Sequence, residues 1–239
     1  MQGYKEFSQI YDLLMDIDYE KWTSFIIDKL NGNKKILEAA CGTGGITKLL
    51  AESNYKITAF DLSEDMLMRA YEKLKQSPMV RLLNQNMVDF QIDDKFEGAI
   101  CCCDGVNYLN KEEVKLFFER IYSHLAEGSK IIFDMSTKHK YEEMFNETYV
   151  YDDGDIFYVW ENEPAGNGII NIEINFFIKD AANRYGRITE EQTQYAHDTD
   201  EIYNLLRAAG FEDIEIFDDY SDKNYTEKSL RAVFTAVKK

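Results

Sequence analysis

Between residues 19 and 134 the apolar positions switch repeatedly between a helical and an extended period. Trp22, Phe25, Ile26 and Leu30 recur at the three- and four-residue spacing of one helix face. Lys34–Ala39 is a short apolar run closed by a glycine-rich turn, and Thr47–Glu52 continues as a helix. Ile57–Phe60 reads as a second strand. Ser63 stands at the N-cap of the next helix, with Glu64 and Asp65 in the first turn, where the helix dipole favours negative charge. Val80–Leu83 is a third strand. Gly98–Cys103 is a fourth, apolar throughout like a parallel strand covered on both faces. Lys111–Leu125 is an amphipathic helix and Ile131–Asp134 a fifth strand. This alternation predicts an α/β protein with a parallel sheet and helices on both faces.

The period changes after residue 139. Ile170, Ile172, Ile174 and Phe176 alternate with Asn171, Glu173 and Asn175, which predicts a half-buried antiparallel strand. Ile156–Trp160 and Arg187–Tyr195 are its expected partners, with Asn167-Gly168 as a hairpin turn. Residues 140–197 therefore read as a small antiparallel β insertion. The α/β pattern resumes with a helix over Asp200–Ala209, stopped by Gly210, and strands at Ile214–Phe217 and Ala232–Val237. Residues 1–139 and 198–239 form the expected core unit.

Composition narrows the function. The 239 residues carry a net charge of −17, which repels phosphate backbones and anionic bilayers and disfavours a nucleic-acid or membrane-surface partner. No apolar run approaches the ~20 residues of a membrane span. The opening Met-Gln-Gly-Tyr-Lys-Glu has no basic stretch followed by an apolar core, so a cytoplasmic protein without a secretory leader is expected. Cys101, Cys102 and Cys103 are consecutive in an apolar segment and Cys41 stands apart, a pattern of buried reduced thiols rather than a disulfide framework. His124, His139 and His197 are scattered, and no metal site is expected.

The segment Ile36-Leu37-Glu38-Ala39-Ala40-Cys41-Gly42-Thr43-Gly44-Gly45 joins the first strand to the next helix. Glycines there let backbone amides approach a ligand, with a helix N-terminus behind. Asp61 ends the second strand 23 residues after Glu38. An acid at that distance, on the tip of the neighbouring strand, can accept both hydroxyls of a ribose. Together they predict an adenosine-containing cofactor across the carboxyl ends of the strands. The GxGxxG spacing of a dinucleotide site is absent, which argues against a nucleotide-linked oxidoreductase.

The order Glu-Ala-Ala-Cys-Gly-Thr-Gly resembles the acidic-x-Gly-x-Gly-x-Gly motif of class I S-adenosylmethionine-dependent methyltransferases, with Ala40 in place of the first glycine. Phe60-Asp61-Leu62-Ser63-Glu64-Asp65-Met66 is similar to the family's ribose-binding strand end. Gln85-Asn86-Met87-Val88-Asp89 is similar to the segment flanking adenine, with Asn86 where Asp is usual. Cys103-Asp104-Gly105-Val106-Asn107 resembles the segment facing the transferred methyl, and Phe7-Ser8-Gln9-Ile10-Tyr11-Asp12 the N-terminal segment of a small-molecule subgroup. The resemblance implies a Rossmann-like, seven-stranded, doubly wound sheet in the order 3-2-1-4-5-7-6 with strand 7 antiparallel. It implies S-adenosyl-L-methionine as cofactor, S-adenosyl-L-homocysteine as product, and a small-molecule acceptor, in a monomer or homodimer. Where that subgroup's insertion ends in a Glu-Glu-His-x-x-Arg-x-Tyr-like pattern, this chain has Gln192, Tyr195 and His197 at the His, Arg and Tyr positions.

On this reading Glu38 serves the cofactor's ammonium, Asp61 the ribose, and Ala40, Cys41, Gly42, Gly44, Leu62, Asn86, Cys103 and Asn107 line the cofactor. Asn86 keeps a carbonyl oxygen for the adenine amine. Met66 and Met87 sandwich adenine or fill core. Tyr4, Tyr11 and Trp22 either offer aromatic faces to a sulfonium or pack the first helix. Asp104, the candidate catalytic acid, orients an amine substrate, binds the methionine ammonium or caps the next helix. His197 is a base at the lid edge or a surface residue. A non-catalytic S-adenosylmethionine-binding module is the rival reading.

Overall fold

A computed structural model describes residues 11, 17–144, 148–180 and 182–239. Tyr4 and the segment around it lie outside the described residues. Five strands, β1 (Lys35–Ala39), β2 (Lys56–Asp61), β3 (Val80–Asn84), β4 (Phe96–Cys101) and β5 (Leu125–Ser136), alternate with helices. The helices are α1 (Tyr19–Leu30), α2 (Gly45–Glu52), α3 (Glu64–Leu74) and α4 (Lys111–His124), with a short 3-10 turn at Gly105–Tyr108. After β5 come α5 (Lys138–Met144) and four strands: β6 (Tyr149–Asp152), β7 (Ile156–Gly166), β8 (Ile169–Lys179) and β9 (Tyr185–Tyr195). The chain closes with α6 (Thr199–Ala209), β10 (Phe211–Asp218) and β11 (Arg231–Lys238).

Seven strands form one sheet, read from one edge as β3-β2-β1-β4-β5-β11-β10. The first five are parallel, and β11 runs antiparallel to both neighbours. This is the expected order. Local chemistry explains the element ends. Ser63 accepts from the Met66 N–H, Asn110 and Glu113 form a reciprocal capping box, and Gly210 stops α6 in the left-handed region. Strand residues alternate between two cores. Leu37 and Ala39 face α4 and α6 through Phe117, Phe118, Ile202 and Leu206. Ile36 faces α1 and α2 through Phe25, Ile26, Ile46 and Leu50. Burial on both faces is what made these strands read as continuous apolar runs.

The fourth strand ends at Cys101, two residues short of the sequence reading, because Cys103 and Asp104 both take left-handed backbone and turn the chain out of the sheet.

A separate antiparallel sheet, β6-β7-β8-β9, forms the insertion. Its hairpin turns at Asn167 and Gly168, both with positive φ as a two-residue turn of this hand requires. On its inner face Ile170, Ile172, Ile174 and Phe176 pack with Met66 of α3 and Tyr141 of α5. The sheet thus lies as a lid over the start of α3, which follows β2, and over α5.

Candidate active site

The loop after β1 is built from alternating left-handed residues: Ala40 (φ 52°), Gly42 (53°) and Gly44 (78°). It is tied to β2, since the Cys41 N–H donates to the Phe60 carbonyl at 3.1 Å and the Gly42 N–H to Asp61 Oδ2 at 2.8 Å. Asp61 Oδ1 accepts from the Ser63 N–H at 2.8 Å. The Leu62 amide also faces this carboxylate, and its two oxygens, with about four lone-pair sites between them, keep capacity for a further donor. Burial pushes the Asp61 carboxyl up, and those amides hold it back. A diol is a donor pair that this carboxylate can take.

Glu38 is only 3% exposed and its Oε2 has no hydrogen-bond partner. Burial pushes its carboxyl up to about 8, the Thr47 hydroxyl opposing and the Asp61 charge adding to the shift. A buried carboxyl with one oxygen left over, beside a glycine turn, suits a cationic ligand group. The residues present thus fit the ribose and the ammonium of S-adenosylmethionine. Affinity for S-adenosylhomocysteine should rise from pH 6 to 8, by up to about tenfold per pH unit, because ligand and proton compete for Glu38. The stability of the apo chain is expected to follow the opposite trend. Between about pH 4.3 and 8 native Glu38 keeps a proton that the unfolded chain has lost, so its contribution to stability falls as pH rises through that window. Calorimetry across this range checks the first point; Glu38→Gln should flatten the profile.

Ala40 carries a left-handed backbone at a position where glycine costs nothing. Ala40→Gly should raise stability by about 1 kcal/mol, the relieved strain exceeding the added unfolded-state entropy; urea unfolding reads it. The neighbouring wall comes close here. A Cβ on Gly105 would lie 2.7 Å from Cys101 Sγ and 3.3 Å from Ala40 Cβ, so only glycine fits.

At the end of β4, Asp104 is gripped by Arg231 of β11, with Nη1–Oδ1 at 2.6 Å and Nη2–Oδ2 at 3.2 Å. Arg231 also bonds Asp134 of β5. The Ser136 hydroxyl donates to Asp104 Oδ1 at 2.9 Å and takes a bond from Lys140 Nζ at 2.8 Å. Burial would raise the Asp104 carboxyl, but the Arg231 and Lys140 charges override it and hold it low. Asp134, more enclosed, is pushed up. Asp104 is thus a locked carboxylate. Its backbone caps the 3-10 turn, but its side chain makes no capping bond, which removes the capping role considered above. Sequence reasoning missed Arg231; the one signal was an arginine opening an otherwise apolar strand.

Other expected residues are placed as follows. Asn107 is fully buried; its amide donates to the Ser136 and Tyr195 carbonyls and its oxygen accepts from the Ser136 N–H. Its side chain joins β5 to the lid. Trp22 stacks on Tyr220 at 4.2 Å and carries the Arg231 guanidinium 4.8 Å from its ring centroid, so it backs the ion cluster in the core. Tyr11 lies among Cys103, Tyr108, Tyr19 and Asp104, and burial followed by their charges raises its hydroxyl. Met66 is buried under the lid, and Met87 packs on the core with Sδ 3.9 Å from Cys101 Sγ. Asn86 Oδ1 already accepts from the Val88 N–H at 3.1 Å. Leu62 is 67% exposed beside Asp61. Burial raises the thiols of Cys41 and Cys103, which makes them poor nucleophiles. His197 is buried rather than on the surface, its Nε2 2.9 Å from the Leu109 carbonyl. Among the described residues no cluster of His, Cys, Asp or Glu could hold a metal ion, and no helix is long and apolar enough to cross a membrane.

A sheet of this order, with an acid-flanked glycine turn on β1 and an acid on β2, defines a methyltransferase of the S-adenosylmethionine-binding type. Comparison with known proteins agrees. Residues 36–128 match the model of a methyltransferase domain. A Geobacillus sp. (strain WCH70) protein designated "putative methyltransferase" is 33% identical over 98% of this chain and 99% of its own. The crystal structure of an S-adenosylmethionine-dependent methyltransferase from Clostridium acetobutylicum superposes with a TM-score of 0.90, at 32% identity over 98% of both chains. The glycine/sarcosine N-methyltransferase of Aphanothece halophytica is 24% identical over 81% of this chain and 72% of its own. The chain belongs to the class I S-adenosylmethionine-dependent methyltransferases.

Proposed function

We propose that this chain is an active enzyme that moves the methyl group of S-adenosylmethionine to a small-molecule acceptor beneath the lid. The observation that carries the reading is the pairing of Asp61, bonded to the glycine-turn amide and still able to accept, with the orphaned buried carboxyl of Glu38. The bound sulfonium supplies an electrophilic methyl with a good leaving group. What remains for the protein is alignment and exclusion of water. The glycine turn and Asp61 orient the nucleoside, Glu38 holds the ammonium, and the left-handed turn at Cys103–Asp104 closes the other side. The Asp104–Arg231–Asp134 cluster fixes that turn, and the lid, held by Asn107 and His197, covers the acceptor.

Support for a small acceptor comes from the net charge of −17, which disfavours RNA, and from the glycine/sarcosine N-methyltransferase, whose named substrates are small. Residues 140–197 are the part we assign to acceptor selection. Isothermal titration tests the donor: micromolar binding of S-adenosylhomocysteine to ligand-free protein is expected, and a folded sample that binds neither it nor S-adenosylmethionine overturns the reading.

A further inference from the structure

The underside of the lid holds a polar stripe that the donor site does not use. On β9, Glu190, Gln192 and Gln194 pair across to Ile174, Ile172 and Ile170 of β8, so all six share the inward face. Two of the three polar residues are committed. Gln192 Oε1 accepts from the Tyr108 hydroxyl and Gln194 Oε1 from the Tyr141 hydroxyl, both at 2.8 Å. Those bonds lay β9 over the 3-10 turn that follows β4. Two residues further along, roughly 7 Å, Glu190 is 2% exposed and its Oε1 has no hydrogen-bond partner. Across β8 on the same face, Asn162 pairs with Ile172, accepts at its oxygen from the Trp160 Nε1–H, and leaves a buried Nδ2 without a partner. Two orphaned polar atoms, one acceptor and one donor, thus flank an isoleucine stripe. A buried carboxylate oxygen without a donor is costly enough to need an explanation, and a ligand supplies one.

We propose that Glu190 is the acceptor-binding group of the lid, and that the acceptor is a small amine, bound as its ammonium, with an apolar body that lies along Ile172 and Ile174. The proposal rests on the methyltransferase reading and names its acceptor class. A carboxylate in a water-poor site attracts an ammonium strongly and gives an alcohol only a neutral hydrogen bond. It also solves the proton problem, since an ammonium has no lone pair to offer. One N–H bond breaks with its electrons staying on nitrogen, and the proton forms an O–H bond on Glu190. The freed pair makes the N–C bond to the methyl, while the C–S pair leaves with sulfur as the thioether. The proton then passes from Glu190 to water. Burial pushes the Glu190 carboxyl up to about 7, with the Gln192 amide opposing, which suits a proton acceptor at neutral pH. Asn162 Nδ2 is placed to donate to an oxygen elsewhere on the acceptor.

The test uses the full chain saturated with S-adenosylhomocysteine, which has no methyl to give, so that binding is read without turnover. The probes are ethanolamine, benzylamine and cyclohexylamine, each beside its alcohol counterpart: ethylene glycol, benzyl alcohol and cyclohexanol. At least one amine should bind about tenfold tighter than its alcohol. Glu190→Gln should abolish that preference, leave alcohol binding and S-adenosylhomocysteine affinity unchanged and not lower the melting temperature; Glu190→Asp should keep part of it. With S-adenosylmethionine, kcat/KM for a methylated amine should fall on the order of 100-fold in Glu190→Gln. Equal amine binding by Glu190→Gln, methylation of alcohols but not amines, or no amine binding at all would overturn the proposal. Failure of the donor reading looks different: the wild-type chain would not bind S-adenosylhomocysteine.

Discussion

Arg231→Met should destabilise the chain by about 3–5 kcal/mol at pH 8, the cost of leaving buried carboxylates without their cation. Asp104 and Asp134 share this one guanidinium, and Asp134 has no side-chain exposure. Methionine fills similar space and keeps contact with Trp22, so the loss reports the charge rather than a cavity. The pH dependence identifies the cause. In the wild type Arg231 keeps Asp104 below its ordinary range, a contribution present above the unfolded pKa and lost as pH falls through the folded one. Without Arg231, burial raises Asp134 further and Asp104 rises too, opposed only by Lys140 and its remaining hydrogen bonds. The variant's native state then binds more protons than its unfolded state, and its deficit grows as pH rises. Urea unfolding at pH 5 and pH 8 should show the smaller loss at pH 5, and adding Asp134→Asn should restore part of it. A loss below about 1 kcal/mol at pH 8 would place the cluster among weak surface pairs.

That cluster also shows what the sequence concealed. The glycine turn, Asp61 and the Ser63 cap were legible because their chemistry is local: backbone hand, a strand tip and a side chain three residues from its amide. Arg231 lies 127 residues from Asp104 and 97 from Asp134 in sequence. Only the antiparallel return of β11 beside β5 brings them together, and that order came from resemblance, not from periodicity. Asn107 entered through the resemblance of its segment, whereas its side-chain partners, the end of β5 and the last lid strand, lie 29 and 88 residues away and have no local signal. β6 escaped for another reason. Its four residues are mostly exposed at a sheet edge and show no apolar alternation. α5 was missed as well, although its Lys140 and Tyr141 reach both the ion cluster and the lid. What marks Glu190 is an unpartnered buried oxygen, which only three-dimensional packing reveals.

Asp61→Ala should weaken S-adenosylhomocysteine binding on the order of 100-fold, equivalent to about 2.7 kcal/mol. The carboxylate does two things at once. It offers its remaining lone pairs to the ribose hydroxyls, charge-assisted bonds that water replaces poorly in a half-buried cleft. It also receives the Gly42 amide, and so holds the glycine turn against β2. Alanine removes both, leaving the Gly42 and Ser63 N–H groups without their acceptor. Asp61→Asn separates the two effects. Its single carbonyl oxygen can satisfy one backbone amide, while its NH2 faces another donor, so binding should stay weak even where the fold is kept. A modest stability change accompanies the alanine variant, since burial raises the Asp61 carboxyl and its removal relieves some desolvation. The expected signature is therefore a large loss of ligand affinity against a small shift in melting temperature. Retention of full affinity by Asp61→Ala would mean that the nucleoside is held elsewhere, and that the carboxylate serves only to hold the Ser63 amide and brace the turn.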